Sequence, residues 1–453
     1  MLKPGNRGWN DFMFDALADV KSTMEQSMLQ NSKGVIIVID GLGDRPAEAL
    51  GGLTPLEAAE TRNFDGLATG GICGLVDPFV PGMPVSTHTG TSLLMGLAPK
   101  DAYKLARGPI EAVGIDLPIH PGDVTMRCNF ATLEDKNGRL RVLDRRAGRI
   151  TENTEDLAGD LHNIALDHGI VASLHPASQH RAVLRFSGPR LSADVTDTDP
   201  GDTSAPGAGV LSCYALDSDD AAVKTAAAVN QAIREIFERL KDHPVNEQRR
   251  AQGLPPATGV VTRGAGMLSE VHNLLRHLTL NVAVVASERT VLGLTNLFHF
   301  KALTDPRFTA MPDTDLAAKV ETVSAALGTN DIVYLHIKGP DVYGHDRDPV
   351  AKKELIERID QAIGPLLDQD IVIGVSADHS TDSTLGRHCG DPIPSLIKAA
   401  HGRKDECTSF GESQCMRGGM GRISANAFLL TVLDHMGRLS NYTAADSLFV
   451  RRA

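Results

Sequence analysis

Three stretches of the chain are apolar at nearly every position rather than at alternate ones: GVIIVID (34–40), DIVYLHI (331–337) and DIVIGVSA (370–377). A strand with one face in water alternates apolar and polar residues, whereas a strand of a parallel sheet covered on both faces does not, so these runs predict buried parallel strands. Elsewhere the pattern changes to that of helices with one apolar face, in TPLEAAETRNFDGLA (54–68), AAKVETVSAALG (317–328) and PVAKKELIERIDQAIGPLL (349–367). Strands alternating with helices predict an α/β fold, a mostly parallel sheet flanked by helices. The wide gap between the first run and the second predicts a large insertion. Within it DVTMRCNFATLED, RLRVLD and HRAVLRFSG read as strands, SDDAAVKTAAAVNQAIREIFERLKD (218–242) as a long amphipathic helix, and TDTDPGDTSAPGAG as a turn-rich stretch. The organisation expected is a discontinuous core, 1–114 and 255–453, carrying an inserted α+β domain over 115–254.

Each apolar run gives way abruptly to polar residues. The first ends on Asp40, the second leads into HIKGPDVYGHDRD and the third into ADHSTDSTLGRH. In a parallel α/β sheet the C-terminal ends of the strands share one edge, where ligands bind. Asp40, Asp341, His345, Asp378, His379 and His388 are therefore expected to meet. Three carboxylates with three imidazoles are too many for one tetrahedral ion and suit two divalent cations. Taken singly, each has a plainer reading: Asp40 as a turn or helix-capping residue, Asp341 and His345 as a chance loop spacing, Asp378-His379 as a hydrogen-bonded structural pair. A fourth segment, PGMPVSTHTGTSLLMGLAP (81–99), places Ser86 and Thr87 just before an expected helix at 89–97. Either hydroxyl can be an N-cap; beside a divalent cation either can also be ionised and attack phosphorus.

Composition narrows the function classes. A formal charge of −12 and only 4% aromatic residues, with one Trp, argue against a nucleic-acid surface, which needs basic faces and stacking rings. Small anions remain accessible to a local cluster of arginines or metal ions. The six cysteines form no CxxC pair, which reads as reduced thiols in a cytoplasmic protein. The opening MLKPGNRGWNDFMF has no signal-peptide core, and no stretch approaches the roughly 18 apolar residues of a membrane span. At 453 residues the chain has room for two or three domains.

From about residue 34 to 437 the chain resembles the cofactor-independent (2,3-bisphosphoglycerate-independent) phosphoglycerate mutases of the archaeal type, within the alkaline phosphatase superfamily. The resemblance is carried by DGLGDRP, TPLEAA, GLVDPFVPGMP, RGPIEAVGIDL, RCNFATLED, DRRAGRI, DHPVNEQRRAQGLPPA, TRGAG, HIKGPDVYGHD, ADHS, GDPIPSLI and RGGMGRI, in that order. It implies an alkaline phosphatase-like core and a lid-like, substrate-binding insertion. One metal would be held by Asp341, His345 and His388, and a second by Asp40, Asp378 and His379, joined by the nucleophile. Mn²⁺ is the expected ion, with Zn²⁺, Co²⁺ and Mg²⁺ as alternatives. The implied reaction is the glycolytic interconversion of 3-phosphoglycerate and 2-phosphoglycerate through a phosphoenzyme. The partner is then a small phosphorylated metabolite, with a homo-oligomer left open. Arg263, Arg145, Arg146 and Arg149 are candidates for the substrate's oxyanions, because a guanidinium fork binds them at two points. The last three also read as a solvated charge run, and Lys338 reads either as facing the site or as exposed.

One departure stands out. Where the family has a nucleophilic Ser followed by an acidic residue, this chain has Thr87-His88, with Ser86 one position early. Thr87 is the expected nucleophile and Ser86 the alternative. Threonine's methyl restricts χ1 and crowds attack, and His88 removes a negative charge. Both changes bear on whether the enzyme returns phosphate to glycerate or, as a metal-dependent phosphatase or phosphonate or phosphodiester hydrolase of the same superfamily, gives it to water.

Overall fold

Gly34–Ile39 (β1) is buried along its whole length, and its neighbours explain why. In the computed structural model, which describes residues 32–201, 207–268, 271–440 and 449, β1 lies inside an eight-stranded sheet. Ile332–Ile337 flanks it on one side and Val372–Ser376 on the other, both parallel to it. Numbered along the chain, the strands of this sheet are β1, β2 (Ile72–Asp77), β3 (Val282–Val285), β4 (Lys301–Leu303), β5 (Ile332–Ile337), β6 (Val372–Ser376), β7 (Ile393–Lys398) and β8 (Gly421–Ser424), and their spatial order is β4-β3-β5-β1-β6-β7-β2-β8. All share one direction except β7, which is antiparallel to both β6 and β2. The expected α/β class and mostly parallel sheet are thus what the chain forms. Strands β5 and β6 are, like β1, buried throughout, as continuous apolar runs covered by helices on both faces should be.

Two expected helices are each divided. Residues 54–68 form Pro55–Ala58, opened by a Thr54–Glu57 capping box, and then Arg62–Gly70, with Ala59 extended between them. The run from 349 ends at Ala362, and Gly364–Leu367 follows as a separate turn; Pro365 cannot donate the backbone hydrogen bond that continuation requires. Three helices bear on the site: α1 (Thr87–Leu94), α2 (Gly339–His345) and α3 (Pro349–Ala362).

The chain divides into two compact units, one of residues 1–100, 273–288 and 300–453, the other of 101–272 and 289–299. The second is wider than the 115–254 span expected. Its central strand, Val124–Lys136, pairs antiparallel with Gly259–Met267 as well as with Arg181–Ser187 and Arg139–Asp144, and Arg107–Val113 packs on this sheet and on Arg289–Leu297. The long helix Asp220–Leu240 begins at Asp219, whose carboxylate accepts from the N–H of Ala221. It buries Ala222, Ala226, Val229, Ile233, Ile236 and Leu240, a helical stripe at intervals of three and four, into the unit's own apolar core. The opening segment MLKPGNRGWNDFMF and positions 202–206 of the turn-rich stretch lie outside the described residues.

Candidate active site

The polar residues after β1, β5 and β6 meet at one edge of the core sheet, as same-direction strands require. Asp40 follows β1 and is fully buried. The chain then turns at Gly41, with φ at +68°, where a Cβ would lie 2.7 Å from Thr381 Oγ1 and 3.0 Å from Asp341 Oδ1. A side chain there would wedge the loops apart. Beyond β5, α2 puts Asp341 and His345 four residues apart, hence on one helix face. Beyond β6 come Asp378 and His379, and then a hairpin, Ser380–Asp382 with Arg387–Cys389, that carries His388 back.

Two overlapping donor groups result. Asp341, His345 and His388 present donor atoms all within 4.8 Å of one another, and so do Asp40, Asp341 and His379. Asp378 joins through Oδ2, 3.4 Å from His379 Nε2, which is 3.3 Å from Asp40 Oδ1. The imidazoles of His379 and His388 stack at 3.6 Å between centroids. His345 Nδ1 donates to Gly386 O at 2.9 Å and His388 Nδ1 to Val85 O at 2.7 Å. That leaves Nε2 of each ring turned inward. Those two nitrogens face each other at 3.1 Å, and lie 3.5 and 3.6 Å from Asp341. A contact of this kind is satisfied by a proton shared between the rings or by a metal ion bound to both. Asp378 Oδ2 is also buried without a hydrogen-bond partner among the described residues, whereas Asp40 Oδ2 has Lys338 Nζ at 3.0 Å. This donor set fits hard-to-borderline divalent cations.

Thr87 is the first residue of α1, and its Oγ1 lies 3.4 Å from His379 Nε2 and 3.4 Å from Lys338 Nζ. Ser86 Oγ is engaged instead with His88 Nδ1 at 2.8 Å, and makes no capping bond. α1 comes this close because Gly90 has no side chain: a Cβ there would stand 1.7 Å from the carbonyl oxygen of Asp378. Lys338 faces the cluster, with Nζ 2.6 Å from Asp341 Oδ2 and 3.1 Å from Asp40 Oδ1. Burial opposes ionisation of Asp40 and Asp341, but the Lys338 ammonium together with the neighbouring histidines outweighs it, and both carboxyls lie below the ordinary carboxylate range. Asp378 goes the other way: burial and the charge on Asp40 raise it well above that range. Burial, then His388, holds the His379 imidazole down at about 3, so it is neutral and available as a donor.

Sequence reasoning missed His336. It lies inside β5, hidden in an apolar run, yet its Nε2 is 3.2 Å from Asp40 Oδ2, and it forms a third donor group with Asp40 and Asp378. It missed Thr381 too, whose hydroxyl donates to Asp341 Oδ1 at 2.6 Å and contacts His379 Nδ1 at 3.1 Å, orienting both.

The second unit carries the arginine candidates. Arg145 binds both oxygens of Asp199 at 2.6 Å, and Arg263 Nε reaches the same carboxylate at 2.7 Å. Arg145 is thus partly buried in an ion pair rather than part of a solvated run. Register supplies what spacing did not: on the central strand Arg127 stands opposite Arg263, and Asn129 opposite Arg181, and residues two apart share a face. Burial and the neighbouring Arg107 hold the Arg127 guanidinium down to about 9. Burial, Arg149 and Arg145 likewise lower Arg146, and burial with Arg181 lowers His180 to about 4. Arg127 Nε, Asn129 Oδ1 and His180 Nδ1 are buried without a hydrogen-bond partner among the described residues. Arg127 keeps Glu111 at 3.7 Å, and its crowding with the neighbouring arginines, rather than Asn129 or the neutral His180, is what suits an anionic ligand.

A model described as 2,3-bisphosphoglycerate-independent phosphoglycerate mutase matches residues 68–246. The chain is 40% identical over 419 residues to the protein of that name from Methanopyrus kandleri, covering 91% of this chain and 98% of the relative. This chain belongs to the 2,3-bisphosphoglycerate-independent phosphoglycerate mutase family. Among solved structures, the PH0037 protein from Pyrococcus horikoshii superposes with a TM-score of 0.75 at 32% identity, over 91% of this chain and all of that one. The cofactor-independent phosphoglycerate mutase from Thermoplasma acidophilum gives 0.63 and 29%, over 90% of this chain and all of that one. The family's helices and sheets thus extend across both units of this chain. No helix among the described residues is long and apolar enough to cross a membrane.

Proposed function

We propose that this protein is a metal-dependent phosphoglycerate mutase, interconverting 3-phosphoglycerate and 2-phosphoglycerate through a phosphothreonine at Thr87. The observation that carries this reading is the placement of Thr87 Oγ1 beside Lys338 and His379 while Ser86 is bonded to His88. Two divalent cations, one held by Asp341, His345 and His388 and the other by Asp40, Asp378 and His379, would supply Lewis-acid charge and favour the ionised hydroxyl; Mn²⁺ is the first ion to test.

The chain's own groups account for the rest. The Lys338 ammonium, 3.4 Å away, stabilises negative charge on Thr87 Oγ1. That oxygen forms a bond to phosphorus as the bond to the glycerate oxygen breaks, and the departing oxygen takes up a proton. Attack by the other glycerate hydroxyl then breaks the phosphothreonine bond and frees Thr87. A phosphoryl group on the first residue of α1 would also lie at the positive end of that helix. The second unit's arginine face, Arg127 with Arg263 and Arg181, suits the anionic groups of a small phosphorylated substrate. Arg146 and Arg149 belong to the same reading. A cytoplasmic, glycolytic role goes with it.

The test incubates purified, Mn²⁺-loaded protein with 3-phosphoglycerate and assays 2-phosphoglycerate and inorganic phosphate separately. Formation of 2-phosphoglycerate with little phosphate release is expected. Phosphate release without the isomer would make the protein a hydrolase, the outcome that Thr87-His88 in place of a Ser-acid pair would then explain.

A further inference from the structure

A second group of metal-type donors lies in the core unit, away from the carboxylates, towards the N-terminal end of β2. Cys73, the second residue of that strand, meets Asp405 and Cys407 from the long connection between β7 and β8; their ligand atoms all lie within 4.8 Å of one another. A tetrahedral ion with Zn–S near 2.3 Å and Zn–O near 2.0–2.2 Å spans separations of this size. The Cys415 thiol, at the end of the short helix Glu412–Cys415, donates to Ser395 O and lies outside this donor group. Cys73 and Cys415 are wholly buried and Cys407 nearly so.

The surroundings are organised around Asp405. Its Oδ2 accepts from Cys73 N and Gly419 N, both at 2.7 Å, and its Oδ1 accepts from Cys407 N at 3.0 Å. Three backbone donors thus fix the carboxylate beside the thiols, as outer-shell hydrogen bonds do for metal ligands. Gly418 lets the connection close over the strand, since a Cβ there would stand 2.1 Å from the Cys73 carbonyl oxygen. Buried cysteines often serve only as small apolar residues, and Cys407 and Cys415 do donate to Gln414 O and Ser395 O, at 3.3 and 3.7 Å. Apolar packing does not call for a carboxylate beside two thiols, however, and that combination is a zinc-type donor set.

We propose that Cys73, Asp405 and Cys407 form a site for zinc or a similar thiophilic divalent cation, separate from the catalytic cluster. The ion fastens the 399–420 connection to β2. The same connection carries Glu412, which accepts from Asp44 N and the Thr54 hydroxyl, so the clamp also steadies the turn after β1. Occupancy requires the thiols to lose their protons as the ion binds.

Cobalt distinguishes this site from the catalytic one, because only thiolate ligands give an intense near-ultraviolet sulfur-to-cobalt charge-transfer band. The full-length protein is stripped with chelator, titrated with Co²⁺ and followed by absorbance. The expected result is a thiolate band that saturates at one ion per chain, is displaced by Zn²⁺, and is lost in Cys73→Ala/Cys407→Ala. Cys407→Ser, at the least enclosed thiol, is the second variant should the double substitution fail to fold, and it weakens the band. Absence of the band in the wild-type protein, an undiminished band in either variant, or a disulfide between any two of these cysteines in the isolated protein would overturn the proposal. None of these readouts depends on whether the protein isomerises phosphoglycerate.

Discussion

Thr87 and Ser86 are adjacent hydroxyls with different surroundings, and substitution separates them. Thr87→Ala should lower turnover by at least about a thousandfold, Thr87→Ser should retain activity, and Ser86→Ala should change it little. Steady-state isomerase assays check the rates, and acid-quenched phosphopeptide mapping checks the attachment point. Arg127 invites a different test. Burial and the charge of Arg107 hold its guanidinium down to about 9, so the folded protein carries it at a cost. Arg127→Met should raise KM for phosphoglycerate by roughly tenfold or more while leaving thermal stability unchanged or higher. A lowered melting temperature without a KM change would remove Arg127 from substrate binding. That the acidic and imidazole side chains on loops after apolar runs come together was legible in the sequence, because strand ends mark a shared edge. His336 was not, because an imidazole within a buried strand has the same local pattern as its neighbours. Arg127, Asn129 and His180 were equally hidden: their convergence depends on antiparallel register, which no spacing along one strand reveals.

At the scale of elements, two packing details position the chemistry. Gly90→Ala would drive a methyl group into the Asp378 carbonyl and push α1, with Thr87, off the cluster. Turnover should fall on the order of a hundredfold, more than the loss of stability explains, and comparing kcat with the melting temperature at saturating metal tests this. The second detail is Lys352, in α3, wholly buried and bonded to Asp44 Oδ2 at 2.7 Å and Thr381 O at 3.0 Å. Asp44 in turn accepts from Ser383 N, so the pair braces the hairpin that follows His379. Lys352→Met leaves Asp44 buried and unpaired and should cost about 3–5 kcal/mol, read by chemical denaturation. Strands β1, β5 and β6 could be read directly because they are long and wholly apolar. β2 and β8 escaped because their apolar pattern is short and broken by glycine, as in ICGLVD and GRIS, and β7 because Pro394 argues against a central strand.

For the whole molecule, stability should depend on pH through Glu412. Burial, partly offset by the Thr54 hydrogen bond, raises its carboxyl from 4.5 to about 7. Between those values the folded chain keeps a proton that the unfolded chain has released. The contribution is therefore full below about pH 4.5 and is lost as pH rises through 7, on the order of 3 kcal/mol. Glu412→Gln should flatten that decline, measured as melting temperature from pH 5 to 8.5; parallel profiles would mean that Glu412 ionises normally. Strand Gly259–Met267 and helix Arg289–Leu297 group with the second compact unit although their sequence reads as core, because the strand pairing and helix packing that hold them are long-range.

The single reversed strand, β7, has one more effect. Had it run with its neighbours, the chain leaving β6 would have crossed to the far end of the sheet before returning. Instead, residues 377–392 remain at one rim from start to finish, and this brief excursion delivers Asp378, His379 and His388. Lengthening or shortening it would shift donors of both proposed ions at once, so among related sequences insertions should be tolerated almost anywhere on the molecule before they are tolerated there.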